Sequence, residues 1–131
     1  KSGKCFVYDK ESLQIQLKEF SYAGEGWGLT NDGKYLIMSD GTNRLFFRDP
    51  ETFKIIKTIS VYSERYAINF LNELEYVDGK IYANIYQSDN IAIINAETGA
   101  LEGLVEGSLY ALDNRKGGEV MINTMYTIPI I

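Results

Sequence analysis

Two short stretches hold the side chains that could do chemistry. The first, SYAGEGWG over residues 21–28, sets one carboxylate, Glu25, and the chain's single indole, Trp27, among three glycines. Glycine lets a backbone turn tightly or approach another chain or a ligand closely. Trp27 can then serve as an apolar wall at an entry to a site, or as a core aromatic. The second stretch, NELEYVDGKIYANIYQSDN over residues 72–90, opens on Asn72, Glu73 and Glu75 and closes on Tyr86 and a polar run. Carboxylates can exchange protons, and with asparagine oxygens they can also hold a hard cation such as calcium. The sequence contains no histidine, which removes His-based triads, His general bases and His metal sites. A phosphate-cradling loop at Gly24–Gly28 is excluded too: no helical pattern follows it and no Lys-Ser/Thr pair ends it. The lone Cys5 cannot form an internal disulfide, and nothing nearby in sequence activates it, so it reads as a small buried apolar residue. Arg65, in the connection YSERYAINFL, reads as a solvated loop charge, with a pocket cation as the alternative.

The elements that must position these residues follow from periodicity. Leu74 and Tyr76 alternate with Glu73 and Glu75, the period-two pattern of a strand with one apolar face. Asp78-Gly79 is a hairpin pair, and Ile81, Ala83 and Ile85 then alternate with Tyr82, Asn84 and Tyr86. The same layout occurs 46 residues earlier: Asp32-Gly33-Lys34 matches Asp78-Gly79-Lys80, and Asp49-Pro50-Glu51-Thr52 matches Asn95-Ala96-Glu97-Thr98. A weaker third copy, Asp9-Lys10-Glu11-Ser12, lies 40 residues before Asp49. Repetition at this period with several short strands per unit is the signature of a β-propeller, each unit being one four-stranded blade.

The predicted fold is therefore all-β with almost no helix, a partial β-propeller of about two to three four-stranded antiparallel blades. Residues 1–21 read as the outer half of a blade, with Lys4–Tyr8 as one strand and alternating Leu13, Ile15 and Leu17 as a second, half-buried one. Residues 22–61 read as a second blade closed by a strand from Phe53 to Val61, residues 72–106 as a third, and residues 107–131 as a divergent tail. Residues 62–71 would connect the blades near a mouth of the propeller, where loops carry function. Propellers close with about four to eight blades, so the chain is expected to be a fragment of a larger ring or to self-associate through open blade edges.

Composition narrows the partners. At 131 residues and 45% apolar, the chain can bury a single core. A net charge of −5 argues against nucleic acid and anionic membrane surfaces. No apolar run approaches the ~20 residues that span a bilayer.

In order along the chain, Gly26-Trp27-Gly28-Leu29, Ser39-Asp40-Gly41, Asp49-Pro50-Glu51-Thr52-Phe53-Lys54, Asn72-Glu73-Leu74-Glu75-Tyr76 and Ala83-Asn84-Ile85-Tyr86-Gln87 stand in matching register. Together they resemble the plant- and bacterial-type glutaminyl-peptide cyclotransferases, over residues from about 4 to 106. The resemblance implies a five-bladed propeller, usually secreted or periplasmic. It implies conversion of N-terminal glutamine of peptides to pyroglutamate with release of ammonia, without a cofactor or metal.

In such a reaction the substrate's α-amine attacks its own γ-carboxamide carbon. One carboxyl with a raised pKa can take the amine proton and later give one to departing ammonia. Donors hold the amide oxygen, and aromatic walls fold the short side chain onto the amine. The resemblance carries Trp27 over as a pocket wall and Asn72 as a substrate contact. Tyr86 stands where the family usually has a second pocket tryptophan; it keeps the ring and adds a hydroxyl. Glu73 and Glu75 are read as a structural network on the face opposite Leu74 and Tyr76. The family's acid/base glutamate belongs to a Gly-Glu-Gly segment one blade upstream of Lys1. Gly24-Glu25-Gly26 looks like it, but register with Trp27-Gly28-Leu29 makes Glu25 a rim carboxylate, the runner-up for the catalytic role. The chain alone is thus expected not to cyclise glutamine at an enzymatic rate. Two other readings remain: a non-catalytic propeller module that binds peptide N-termini, and a metal-dependent lactonase-like propeller enzyme.

Overall fold

Residues 3–106 are described by the computed structural model; the expectation for residues 107–131 lies outside them. The described chain is all-β, with strands β1 (Lys4–Tyr8), β2 (Gln16–Ser21), β3 (Gly28–Asn31), β4 (Leu36–Ser39), β5 (Arg44–Arg48), β6 (Ile55–Ser60), β7 (Leu71–Val77), β8 (Lys80–Ile85), β9 (Asn90–Asn95) and β10 (Leu101–Glu106). β1 and β2 form a two-stranded sheet, and two four-stranded antiparallel meanders follow, ordered β3-β4-β5-β6 and β7-β8-β9-β10. These are propeller-like blades.

The repeat read from the sequence reappears in the strands. β5 and β9 begin at Arg44 and Asn90, and β6 and β10 at Ile55 and Leu101, in each case 46 residues apart. The corner between the last two strands of each unit is one device made three times. Asp49 Oδ1 accepts from the backbone N–H groups of Glu51 and Thr52 at 2.8 and 3.0 Å. Asn95 Oδ1 does the same for Glu97 and Thr98, and Asp9 Oδ1 for Glu11 and Ser12. Each corner then ends on a left-handed residue four positions on: Leu13 (φ 54°), Phe53 (φ 62°) and Gly99 (φ 80°). A short side-chain oxygen that mimics a turn carbonyl fixes the corner locally.

Three expectations are corrected in detail. The alternating Leu13, Ile15 and Leu17 do not form a half-buried strand. Leu13 belongs to the corner, β2 starts only at Gln16, and all three side chains are exposed by 58% or more. Phe53 does not open β6; it sits in the second corner, where its ring is buried. The two hairpins also differ. Asp78 and Gly79, both at positive φ (47° and 81°), join β7 and β8 directly, as a type I′ turn requires. Asp32-Gly33 belongs to a longer loop, in which Asp32 Oδ1 accepts from the N–H groups of Lys34 and Tyr35.

The core lies between the two four-stranded sheets. Ile37, Leu45 and Phe47 of the first sheet and Leu71, Leu74, Ile81, Ala83, Ala92 and Ile94 of the second are essentially inaccessible to water. The innermost strands β3 and β7 lie side by side. Tyr76 N–H donates to Thr30 Oγ1 at 3.2 Å, and Ser39 Oγ–H donates to the Asn72 carbonyl at 2.7 Å. The β1–β2 unit meets the first sheet through aromatic rings. Phe20 stacks on Phe53 at 5.5 Å, and the buried Arg48 guanidinium lies over the Phe53 and Tyr22 rings while its Nη1 donates to the Phe53 carbonyl.

The corner carboxylates give this fold a defined acid response. Backbone donors, Ser12 before Glu11 for Asp9 and Thr52 before Glu51 for Asp49, hold both carboxyls below the ordinary aspartate value. A folded-state pKa below the unfolded one contributes stability above the unfolded value of about 3.9, and that contribution is lost as pH falls through the folded value. Asn95 makes the same corner without titrating. Asp49→Asn is therefore expected to lower the midpoint of acid unfolding, followed by circular dichroism below pH ~4. An unchanged midpoint would show that this corner does not contribute to acid sensitivity.

Candidate functional site

The site grows from the joint between β3 and β7. Trp27 precedes β3, and its backbone N–H donates to the Ser39 carbonyl at 3.0 Å, extending the β3–β4 ladder by one residue. Its indole lies on Gly41: a Cβ there would come within 2.6 Å of Cε2 and 2.7 Å of Cζ2. Only a residue without a side chain leaves that space, and Gly41 is also at φ 83°. The indole Nε1–H donates to Glu25 Oε2 at 2.7 Å. The Tyr86 ring meets Trp27 edge-on, with centroids 5.3 Å apart and planes at 75°, the T-shaped arrangement that ring quadrupoles favour.

Backbone bonds hold the two rings in register. Phe70 N–H donates to the Gly41 carbonyl, and Tyr86 N–H donates to the Phe70 carbonyl, each at 2.9 Å. The seat of Trp27 and the residue carrying Tyr86 are thus tied through one residue of the 62–71 connection. Phe70 is itself left-handed at φ 63°, as is Gln87 just after Tyr86 at φ 61°. Arg65 is exposed on the same connection, a solvated charge as its sequence context suggested.

Asn72 sits where β7 departs from simple alternation. Leu71 pairs with Ile85 and Leu74 with Ala83, so Leu71 to Leu74 spans one more residue than the facing segment. This bulge holds Asn72 and Glu73, both half-buried. Bulges re-aim side chains and are common beside active sites. Ser39 joins the bulge to Trp27, since its carbonyl takes the Trp27 N–H and its hydroxyl bonds the Asn72 carbonyl. The structure therefore brings Trp27 and Tyr86 into ring contact and Asn72 next to them through the backbone. Glu25 is held at the indole N–H.

Trp27 also lines a cleft of about 410 Å³, together with Lys4, Cys5, Tyr22, Met38 and Glu73. That volume is in the range that takes a small ligand. Burial pushes the Glu73 carboxyl above the ordinary glutamate value. Burial also pushes up the Cys5 thiol, against the opposing pull of the Arg48 cation. Cys5 is half-buried at the cleft wall and not sealed in a core. Among the described residues no three His, Cys, Asp or Glu side chains are grouped to hold a metal ion.

Sequence reasoning treated Glu73 as part of a structural network and gave Gly41 and Ser39 no role. The bulge explains the first: alternation read from Leu74 and Tyr76 holds from Leu74 onward, but the extra residue before Leu74 breaks it. The Ser39-Asp40-Gly41 motif was visible, yet its function as the seat of a ring 14 residues upstream exists only once β4 lies beside β3.

A family model described as glutamine cyclotransferase matches residues 1–125. The chain is 43% identical over 102 residues to glutaminyl-peptide cyclotransferase of Arabidopsis thaliana, covering 76% of this chain and 31% of that protein. It superposes on the crystal structure of Myxococcus xanthus glutaminyl cyclase with a TM-score of 0.78 at 28% identity, covering 91% of this chain and 51% of the other. BamB from Moraxella catarrhalis, at 13% identity, TM-score 0.52 and coverage of 79% and 30%, shares the propeller-like arrangement and bears on the fold alone. The chain thus spans about a third of the plant relative and about half of the bacterial one. On the match over residues 1–125 and the identity to the plant protein, the chain belongs to the glutamine cyclotransferase family.

Proposed function

We propose that this chain supplies one wall of the substrate pocket of a glutaminyl-peptide cyclotransferase, an acyltransferase that closes N-terminal glutamine to pyroglutamate and releases ammonia. The observation that carries this reading is the Trp27–Tyr86 ring pair, seated on Gly41 and joined through Ser39 to the Asn72 bulge. Two rings at 75° form a corner against which a short aliphatic side chain can fold. Folding brings the α-amine within reach of its own γ-carboxamide, where proximity alone removes much of the barrier. Asn72 can hold a polar group of the substrate from the bulge. Glu25 is engaged by the indole N–H and so orients Trp27, which fits a rim carboxylate better than a free proton carrier.

The family resemblance supports an exported setting, secreted or periplasmic. The edge of β1 that faces away from β2 has no strand paired with it among the described residues, which supports self-association and is tested by sedimentation over a range of concentrations.

The test of the site is binding. Asn72→Ala is expected to weaken binding of a glutaminyl dipeptide roughly 10-fold, the usual cost of losing a hydrogen-bond partner in a partly buried site. Isothermal titration with Gln-Ala, alongside Ala-Ala as a non-substrate, reads the effect. Equal affinity of wild type and variant for Gln-Ala would remove Asn72 from the pocket. Binding of Gln-Ala without ammonia release would favour a non-catalytic peptide-binding module.

A further inference from the structure

Four backbone positions around the ring pair are left-handed, and they form two repeat-related pairs. Gly24 and Phe70 lie 46 residues apart, as do Gly41 and Gln87, with φ of 83° and 63° in the first pair and 83° and 61° in the second. One unit thus uses glycine at both places, and the next carries a side chain at both. Glycine enters this conformation freely, whereas phenylalanine does so only against strain. Strained residues of this kind gather at ligand clamps. The two side chains flank Tyr86: Gln87 follows it in the chain, and the Phe70 carbonyl accepts its N–H at 2.9 Å.

Little packing holds the phenylalanine there. Its side chain is 56% exposed, and the ring contacts of the described residues do not include it. At the matching Gly24 a Cβ would meet nothing within 4 Å, so the repeat leaves this direction open. The position is nevertheless tied to the pocket. Its N–H donates to the carbonyl of Gly41, the seat of Trp27, its own carbonyl receives Tyr86, and Asn72 is two residues further along the chain. A glutamine folded into the Trp27–Tyr86 corner must pass the rest of its peptide out again, and the second Cα follows about 3.8 Å after the first. Phe70 is the apolar side chain that the backbone anchors to both walls of that corner.

We propose that the Phe70 ring is the subsite for the side chain of the peptide's second residue and makes the pocket prefer an apolar residue there. This rests on the pocket reading given above and deepens it, because cyclisation uses only the glutamine and asks nothing of the residue that follows. The exposed ring is the surface that a leucine side chain covers, removing apolar area from water on both partners. An aspartate side chain would lose hydration there without gaining a partner.

Titration of the full chain with Gln-Ala, Gln-Leu and Gln-Asp tests this. Wild type is expected to bind Gln-Leu roughly 4- to 10-fold more tightly than Gln-Ala, the range for half-covering a leucine side chain, and Gln-Asp no more tightly than Gln-Ala. Phe70→Gly puts into this unit the residue that the preceding unit uses, so the left-handed backbone and its two hydrogen bonds can stay. It is expected to bind Gln-Ala and Gln-Leu alike. Phe70→Tyr keeps a ring and is expected to keep the preference. Thermal melts and Trp27 emission show whether each variant is folded with its ring corner intact. Equal binding of Gln-Leu and Gln-Ala by wild type, or a preference that survives Phe70→Gly, overturns the inference and leaves the pocket standing. So does a preference lost together with a shifted Trp27 emission, which would assign the effect to the corner and not to the Phe70 ring. If wild type binds none of the three peptides, the pocket reading falls and takes the inference with it.

Discussion

Replacing Gly28 with alanine is expected to part the two four-stranded sheets. A Cβ at this position would be driven into the Asn72 carbonyl oxygen and would lie 2.9 Å from Glu73 Cα. Those neighbours are backbone, which has no rotamer to yield. Either β3 or β7 must retreat, and the retreat would strain the Ser39–Asn72 and Thr30–Tyr76 hydrogen bonds. It would also loosen a core in which Ile37 and Leu74 have no exposure. Overpacking a core costs typically 1–3 kcal/mol, and the bonds at risk add about 1 kcal/mol each. A loss of about 3 kcal/mol or more is expected, which is a large share of the stability of a small domain. Urea unfolding with an unchanged m-value measures it. A shift equivalent to less than about 1 kcal/mol would mean that the sheets do not meet as described.

Gly41→Ala is expected to act on the site more than on the fold. The new methyl would displace the Trp27 indole from its seat, and the residue would be held at φ 83°, a strain of order 1–3 kcal/mol. The ring corner with Tyr86 should open. Displacements of about 1 Å in a pocket cost on the order of 100-fold where geometry sets the rate. Binding or turnover of a glutaminyl peptide, whichever is measured, should fall by about that factor. Because Trp27 is the sole tryptophan, the displacement can be seen directly: emission should shift to the red, and quenching by iodide should increase. Unchanged emission with normal peptide binding would place the indole elsewhere.

The parts of this molecule that were legible in sequence are those encoded by neighbours in the chain. The Asp9, Asp49 and Asn95 corners need an oxygen and the next few backbone N–H groups, so the repeat could be read from the letters alone. Asp78-Gly79 needs two left-handed residues and announces them. What was not legible depends on contacts across the sheets. The extra residue at Asn72-Glu73 leaves no mark in the alternation after Leu74, so the bulge that carries Glu73 could not be read from it. Leu13, Ile15 and Leu17 have the pattern of a strand with a covered face, but the pattern does not say whether a cover is there. Nothing in the neighbours of Arg48 along the chain shows that it is enclosed, its charge met by two aromatic faces and one carbonyl. At the site, Trp27 and Tyr86 were proposed together as pocket rings from the resemblance. Their actual contact depends on Gly41 and Phe70, which link them through the backbone.

The bond between Tyr76 and Thr30 joins two residues that are 46 apart, the length of one repeat. Each therefore occupies the place in its own unit that the other occupies in the next. A joint of that kind is head-to-tail: one unit offers a donor surface, its successor an acceptor surface, and the two are not the same patch. Such joints have no intrinsic end point, and only the rotation from unit to unit decides when the series returns to its start. A tandem duplication of 46 codons would insert a further unit without inventing a new joint. The number of units in a ring built from such joints is then a geometric variable, set by that rotation and not by the chemistry of the joint.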